Sequence, residues 1–120
     1  MPLPNNLKIG LRGEQLAARY LREHKYHIIA SNYSTKLGET DIIAEKDNII
    51  CFIEVKTRSP GQMLAPSEAV DRRKQENLQI NAAAFLKAHK IPDNNFRFDI
   101  IEVILHDLFT ADINHIKNAF

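Results

Sequence analysis

A chain of 120 residues with 44% hydrophobic content has room for one domain, 1–120, around a modest core, and a net charge of +1 excludes a strongly basic polyanion-wrapping protein. One cysteine, Cys51, excludes a disulfide framework and a four-cysteine zinc site. No apolar run of about 18 residues is present to cross a membrane, and Met1-Pro2-Leu3-Pro4 lacks a signal pattern, so the expectation is a soluble, cytoplasmic protein.

Residues 1–9 read as a flexible lead. A helix is expected from about Gly13-Glu14 to Lys25, with Ala17, Ala18, Tyr20 and Leu21 forming an apolar stripe at helical spacing. Glu14 lies on that stripe. It is either a first-turn acid favoured by the helix dipole or an inward carboxylate that reaches the chemistry described below. His27 to Tyr33 reads as the first strand, and Ser34 to Gly38 as a loop.

Two runs rich in Ile, Val and Phe then flank Lys46-Asp47-Asn48, where Asp and Asn tolerate the positive φ of a tight hairpin turn. Together with the first strand they predict a three-stranded antiparallel meander, ended by Ser59-Pro60-Gly61 and followed by a loop to Pro66. Ser67 suits the cap of a second helix running to about His89, whose inward stripe is Val70, Leu78, Ala82, Phe85 and Leu86. Lys74 sits inside that stripe, where a lysine either snorkels outward or reaches a phosphate. After a break at Ile91 to Asn95, Phe96 to Leu105 restores strand character and closes the sheet after the helical crossover. Phe109 to Phe120 reads as a short helix or turn that docks Ile113, Ile116 and Phe120.

The second hairpin strand carries the chemistry. Ile50, Phe52, Glu54 and Lys56 share one face of it, so that face starts as core and ends as a charged pair. If Asp47-Asn48 are the central turn residues, Asp41 falls opposite Glu54 and Glu39 opposite Lys56. Facing Cβ atoms lie about 5 Å apart, where like charges repel, so a lysine, a proton or a metal ion is needed to offset the Asp41–Glu54 pair. A Mg²⁺ or Mn²⁺ ion is commonly held by one or two carboxylates plus phosphate and water. Asp41 and Glu54 can supply those carboxylates, and the Val55 carbonyl a further oxygen. Lys56 can orient or help deprotonate a water, or stabilise charge on phosphate, a set suited to phosphodiester hydrolysis. The bland alternative is a Glu-x-Lys pair at a solvated edge; the apolar run Ile49 to Ile53 weighs against it, because central strands seldom carry unused charge. Glu39 reads as an edge acid or a partner for Lys56. Lys36, Arg58, Arg72, Arg73 and Lys74 form the candidate nucleic-acid grip. The five histidines show no zinc spacing, and the glycines make no phosphate-binding loop.

Taken together, Gly13-Glu14-Gln15-Leu16-Ala17-Ala18, Gly38-Glu39-Thr40-Asp41, Phe52-Ile53-Glu54-Val55-Lys56-Thr57-Arg58, Arg97-Phe98-Asp99 and Asn118-Ala119-Phe120 resemble the YraN-like family of small bacterial proteins. That family is similar in turn to archaeal Holliday-junction resolvases and the restriction-endonuclease-like fold. The resemblance implies an α/β chain with a central mixed sheet flanked by helices, and it places Glu14, Asp41, Glu54 and Lys56 in the nuclease active-site pattern. It further implies a Mg²⁺- or Mn²⁺-dependent endonuclease acting on DNA, branched or otherwise distorted, and a homodimer, since a symmetric junction presents two related cuts. The alternative is a non-catalytic nucleic-acid-binding or assembly module on the same scaffold. Thr40 stands where the family usually has an aliphatic residue, a change read as packing. Tyr33-Ser34-Thr35-Lys36 replaces a stretch that usually contains arginine.

Overall fold

The chain, seen in a computed structural model that describes residues 6–60, 71–91 and 95–120, runs α1 (Asn6–Glu23), β1 (His27–Thr35), β2 (Gly38–Lys46), β3 (Ile49–Arg58), α2 (Arg72–Ala88), β4 (Phe96–Leu105) and β5 (Ala111–Ile116). The expected loop to Pro66, the cap at Ser67 and the inward Val70 lie outside the described residues, as do 92–94 of the expected turn.

Asp47 and Asn48 adopt φ of 53° and 64°, the left-handed conformation that a two-residue type I′ turn requires at both central positions. The turn sets the predicted register, with Lys46↔Ile49, Ala44↔Cys51 and Ile42↔Ile53 paired. The meander forms as expected, and the five-stranded sheet has the order β1-β2-β3-β4-β5. β3 and β4 are parallel, while the other neighbouring pairs are antiparallel. A parallel neighbour needs a crossover, which α2 supplies.

The sheet is covered on both faces. Ile42, Ala44, Cys51, Ile53, Ile101 and Val103 pack with Ala17 and Leu21 of α1. Residues of the opposite parity, Ile43, Ile50, Phe52 and Phe98, pack with Ala82 and Phe85 of α2. Strand alternation thus sends alternate residues of the same strands into two different cores. No helix among the described residues is long and apolar enough to cross a membrane.

Several boundaries differ from expectation: β1 runs on to Thr35 and β2 starts at Gly38, so only 36 and 37 remain of the expected loop from Ser34 to Gly38. The first helix begins at Asn6, so residues 6–9 are helical rather than part of a lead. Gly13, read as its boundary, is interior because the helix passes too close to β3 for a side chain: a Cβ there would lie 1.8 Å from Thr57 Oγ1. The described second helix begins at Arg72, with the Asp71 carboxylate accepting from Lys74 N–H at 2.9 Å as its N-cap. The tail forms β5 rather than a helix. Ile113 packs on the α1 side and Ile116 on the α2 side, so their helix-like spacing reflects two faces of an edge strand. Asp107 shapes the preceding turn by accepting from Phe109 N–H (2.7 Å) and Thr110 N–H (2.8 Å).

Candidate functional site

The β2–β3 ladder ends at Ile42↔Ile53, and the next residue on each strand is acidic, Asp41 and Glu54. Asp41 Oδ2 accepts from Val55 N–H at 2.8 Å. Glu54 is only 5% exposed. Its Oε1 meets Lys74 Nζ at 2.5 Å and Lys56 Nζ at 3.6 Å, while Oε2 is buried with no hydrogen-bond partner among the described residues. An open cleft of about 310 Å³ is lined by Glu14, Asp41, Glu54, Val55 and Lys56, with Gly10 and Thr57 among its walls. A neighbouring cleft of about 360 Å³ shares Asp41 and Glu54 and adds Gly38, Glu39 and Lys74.

Crowding sets the electrostatics. Burial and the Glu54 charge push the Asp41 carboxyl up from 3.8 to about 7, against the opposing pull of the Val55 N–H. Burial, then the charges of Glu39 and Glu54, raise Glu14. Burial lowers the proton affinity of Lys56, and the hydrogen bond and charge of Lys74 lower it further. Burial also pulls Lys74 down, but its contacts with Glu54 and Lys56 and the nearby carboxylate charges outweigh that, and its net shift is upward. The two lysines are therefore unequal: the surroundings favour the proton on Lys74 and disfavour it on Lys56.

Asn81 anchors the helix that delivers Lys74. Fully buried, it donates to Thr40 Oγ1 at 2.9 Å and to the Tyr33 carbonyl at 3.1 Å. Thr40 is therefore more than a packing substitution: its hydroxyl accepts one of the two hydrogen bonds that the buried Asn81 amide nitrogen donates, a bond an aliphatic residue would remove. Lys74 and Asn81 lie on one side of α2, two turns apart.

The other basic residues are less closely gathered. Lys36 is exposed at the β1–β2 turn, just before Gly38 of the second cleft. Arg72 is exposed and pairs with Glu76 at 3.5 Å, and Arg73 is exposed beside it. Arg58 is half-buried at the end of β3, with its Nε unpartnered. Among the described residues Lys56 pairs with Glu54 rather than Glu39.

Sequence reasoning missed Asn32. With its amide oriented so that the nitrogen faces the acids, it donates to Glu14 Oε1 at 2.8 Å and Glu39 Oε1 at 3.0 Å. It holds a φ of 52°, and an asparagine inside a strand is the one sequence signal of such a kink. Also missed was a second polar network around Asp99. This buried carboxylate accepts from His115 Nε2 (2.7 Å), Arg97 Nε (3.0 Å) and Asn118 N–H (3.0 Å), and Arg97 donates to the Tyr26 hydroxyl at 2.8 Å.

The donor set at the cleft fits a hard divalent cation through two carboxylates, those of Asp41 and Glu54. The buried, unpartnered Glu54 Oε2 and the proton-retaining Asp41 are the condition of acids that gain from a cation. Glu14 shares the cleft without completing a larger cluster. Among the described residues no group of three or more His, Cys, Asp or Glu side chains is placed to hold a metal.

The fold and site together define an α/β protein with a carboxylate–lysine cleft at the end of a central hairpin. Residues 13–103 match the model of a family described as Uncharacterised protein family UPF0102, and the chain belongs to that family. It is 47% identical over 117 residues to a UPF0102 protein of Alkaliphilus oremlandii, covering 96% of this chain and 99% of the relative. Similar relatives occur in Syntrophomonas wolfei (43% over 115 residues; 96% and 99% covered) and Caldicellulosiruptor saccharolyticus (41% over 117 residues; 97% and 99% covered). The YraN-like resemblance read from the motifs thus stands.

Proposed function

We propose that this protein is a Mg²⁺- or Mn²⁺-dependent endonuclease that hydrolyses phosphodiester bonds in DNA, on a restriction-endonuclease-like fold. One observation carries the reading: Glu14 from α1, Asp41 from β2, Glu54 and Lys56 from β3 and Lys74 from α2 converge on two adjoining clefts. Asp41 and Glu54 would hold the ion, which supplies positive charge against the developing phosphorane and acidifies water. Lys56 orients the attacking water through its ammonium and stabilises the charge that develops on the phosphate; in this open cleft solvent takes the water's proton and supplies one to the leaving oxygen. The water oxygen forms the new bond to phosphorus as the bond to the leaving oxygen breaks. Glu14, fixed by Asn32, polarises the same water. Lys74, with Lys36 and Arg58, Arg72 and Arg73, faces the phosphates, and a homodimer would permit paired cuts in a branched substrate.

The test is a screen of duplex, flap, fork, four-way and single-stranded DNA with Mg²⁺ and Mn²⁺, beside crystals soaked in Mn²⁺. Cleavage lost in folded D41A, E54A and K56A supports the reading. No cleavage of any substrate, with no Mn²⁺ between Asp41 and Glu54, defeats it. Salt-dependent DNA binding without cleavage would instead favour the non-catalytic module, a reading that the internal Lys74–Glu54 ion pair also accommodates.

A further inference from the structure

Among the described residues Glu102 is the least explained acid. It lies in β4, amid a run of buried apolar residues, and is 1% exposed. Among the described residues neither of its carboxylate oxygens has a hydrogen-bond partner. Burial of a carboxylate with empty lone pairs costs several kcal/mol unless a cation or donor comes within reach. The parallel register shows which cation is near: Glu102 pairs with Lys56, and both neighbours of that pair, Glu54↔Ile100 and Arg58↔Ile104, keep the same alignment. In-register residues of parallel strands project from the same face, so Lys56 stands beside Glu102 across the ladder and beside Glu54 along its own strand. Glu54 Oε2, Arg58 Nε and both Glu102 oxygens, all buried without partners among the described residues, sit on this one face.

Lys56 therefore has a further carboxylate beside it, Glu102, that is not in use. Lys56 is drawn to Glu54 at 3.6 Å, an oxygen it shares with the much closer Lys74. Any cation that takes over Glu54 repels both lysines. We propose that Glu102 is a positioning residue for Lys56: when Glu54 is engaged or neutralised, the Lys56 ammonium crosses the parallel ladder to Glu102, which holds it at the cleft. Rotation about side-chain bonds is enough for the exchange, because a lysine stem spans the about 5 Å between neighbouring strands. The functional meaning rests on the hydrolytic reading, since a held Lys56 stays aimed at the cleft instead of swinging into solvent. The exchange itself requires no metal.

Glu54→Gln removes the charge of the first acceptor without an ion. In a crystal structure of E54Q, Lys56 Nζ is expected within hydrogen-bonding distance of a Glu102 oxygen. A double-mutant cycle of K56M and E102Q, read by urea unfolding, should show coupling below about twofold in the wild-type background and about tenfold or more in the E54Q background. E102D should restore part of that coupling. A merely structural Glu102 gives the same loss in both backgrounds. That result, Lys56 pointing to solvent in E54Q, or Arg58 occupying Glu102 instead, would overturn the proposal. If E54Q does not fold, E54L serves the same cycle, because an apolar side chain suits the buried position. Failure of Mn²⁺ to bind the wild-type protein would defeat the hydrolytic reading and leave the E54Q result standing.

Discussion

Asp41→Asn separates an acid kept for function from one kept for stability. The folded protein holds the Asp41 proton up to about 7 against an ordinary 3.8. Stability from this group is thus fully present below pH 3.8, falls as the pH rises, and is lost above about pH 7. At about 1.4 kcal/mol per pH unit, the ceiling is roughly 4 kcal/mol. The cleft is open to water and Lys74 stands close, so about half of that, about 2 kcal/mol, is the expected gain of D41N at pH 8. Asparagine keeps an oxygen for Val55 N–H. Urea unfolding at pH 4, 6 and 8 should show the advantage of D41N growing from near zero to its full value, and saturating Mg²⁺ at pH 8 should narrow it by stabilising the wild type alone. A D41N protein less stable than wild type at pH 8, or a difference independent of pH, would refute the electrostatic reasoning.

Three further expectations follow from named contacts. G13A should cost about 1–3 kcal/mol by driving a methyl into Thr57, and T57A should recover part of it, both read from urea midpoints. Asp99 is pushed up by burial but held below the ordinary carboxylate range by hydrogen bonds from His115, Arg97 and Asn118 N–H. Its contribution is therefore present above pH 3.8 and lost as the pH falls further; D99N should cost about 3 kcal/mol at pH 7, with a smaller difference at pH 3, and a constant difference would count against the network. K74A should lower the salt slope of DNA binding in Ca²⁺ by about one, measured by fluorescence anisotropy; an unchanged slope in a folded variant would remove Lys74 from the phosphate grip.

What could be read from the chain was what neighbouring residues decide. Asp47-Asn48 dictated the turn, the turn dictated the register, and the register brought Asp41 to Glu54. The position of Lys74 among apolar neighbours on α2 left it either snorkelling outward or reaching a phosphate, and its contact with Glu54 was not evident. Less legible were features made by residues distant in sequence. Gly13 looked like a helix boundary because nothing local reveals that Thr57 will press against it. Thr40 looked like a change in packing because its partner, Asn81, is on another element. Glu102 was unremarked because only the parallel alignment of β3 and β4 puts it beside Lys56. Ile113 and Ile116 suggested a helix because a strand at the sheet edge can bury residues on both sides, which defeats periodicity.

The parallel pairing of β3 with β4 also orders the events of folding. Asp41 and Glu54 meet through a two-residue turn, a closure that takes microseconds. Their mutual repulsion is thus present as soon as the hairpin forms. Lys74 arrives only with α2, and the β4 neighbours of β3 only after the whole crossover has been laid down, a distant closure that topology makes slow. During synthesis the acidic hairpin has only its own Lys56 beside Glu54 until Lys74 follows later in the chain. A magnesium-rich medium could screen it in that interval, so the ion proposed for catalysis would first influence the rate at which the sheet closes.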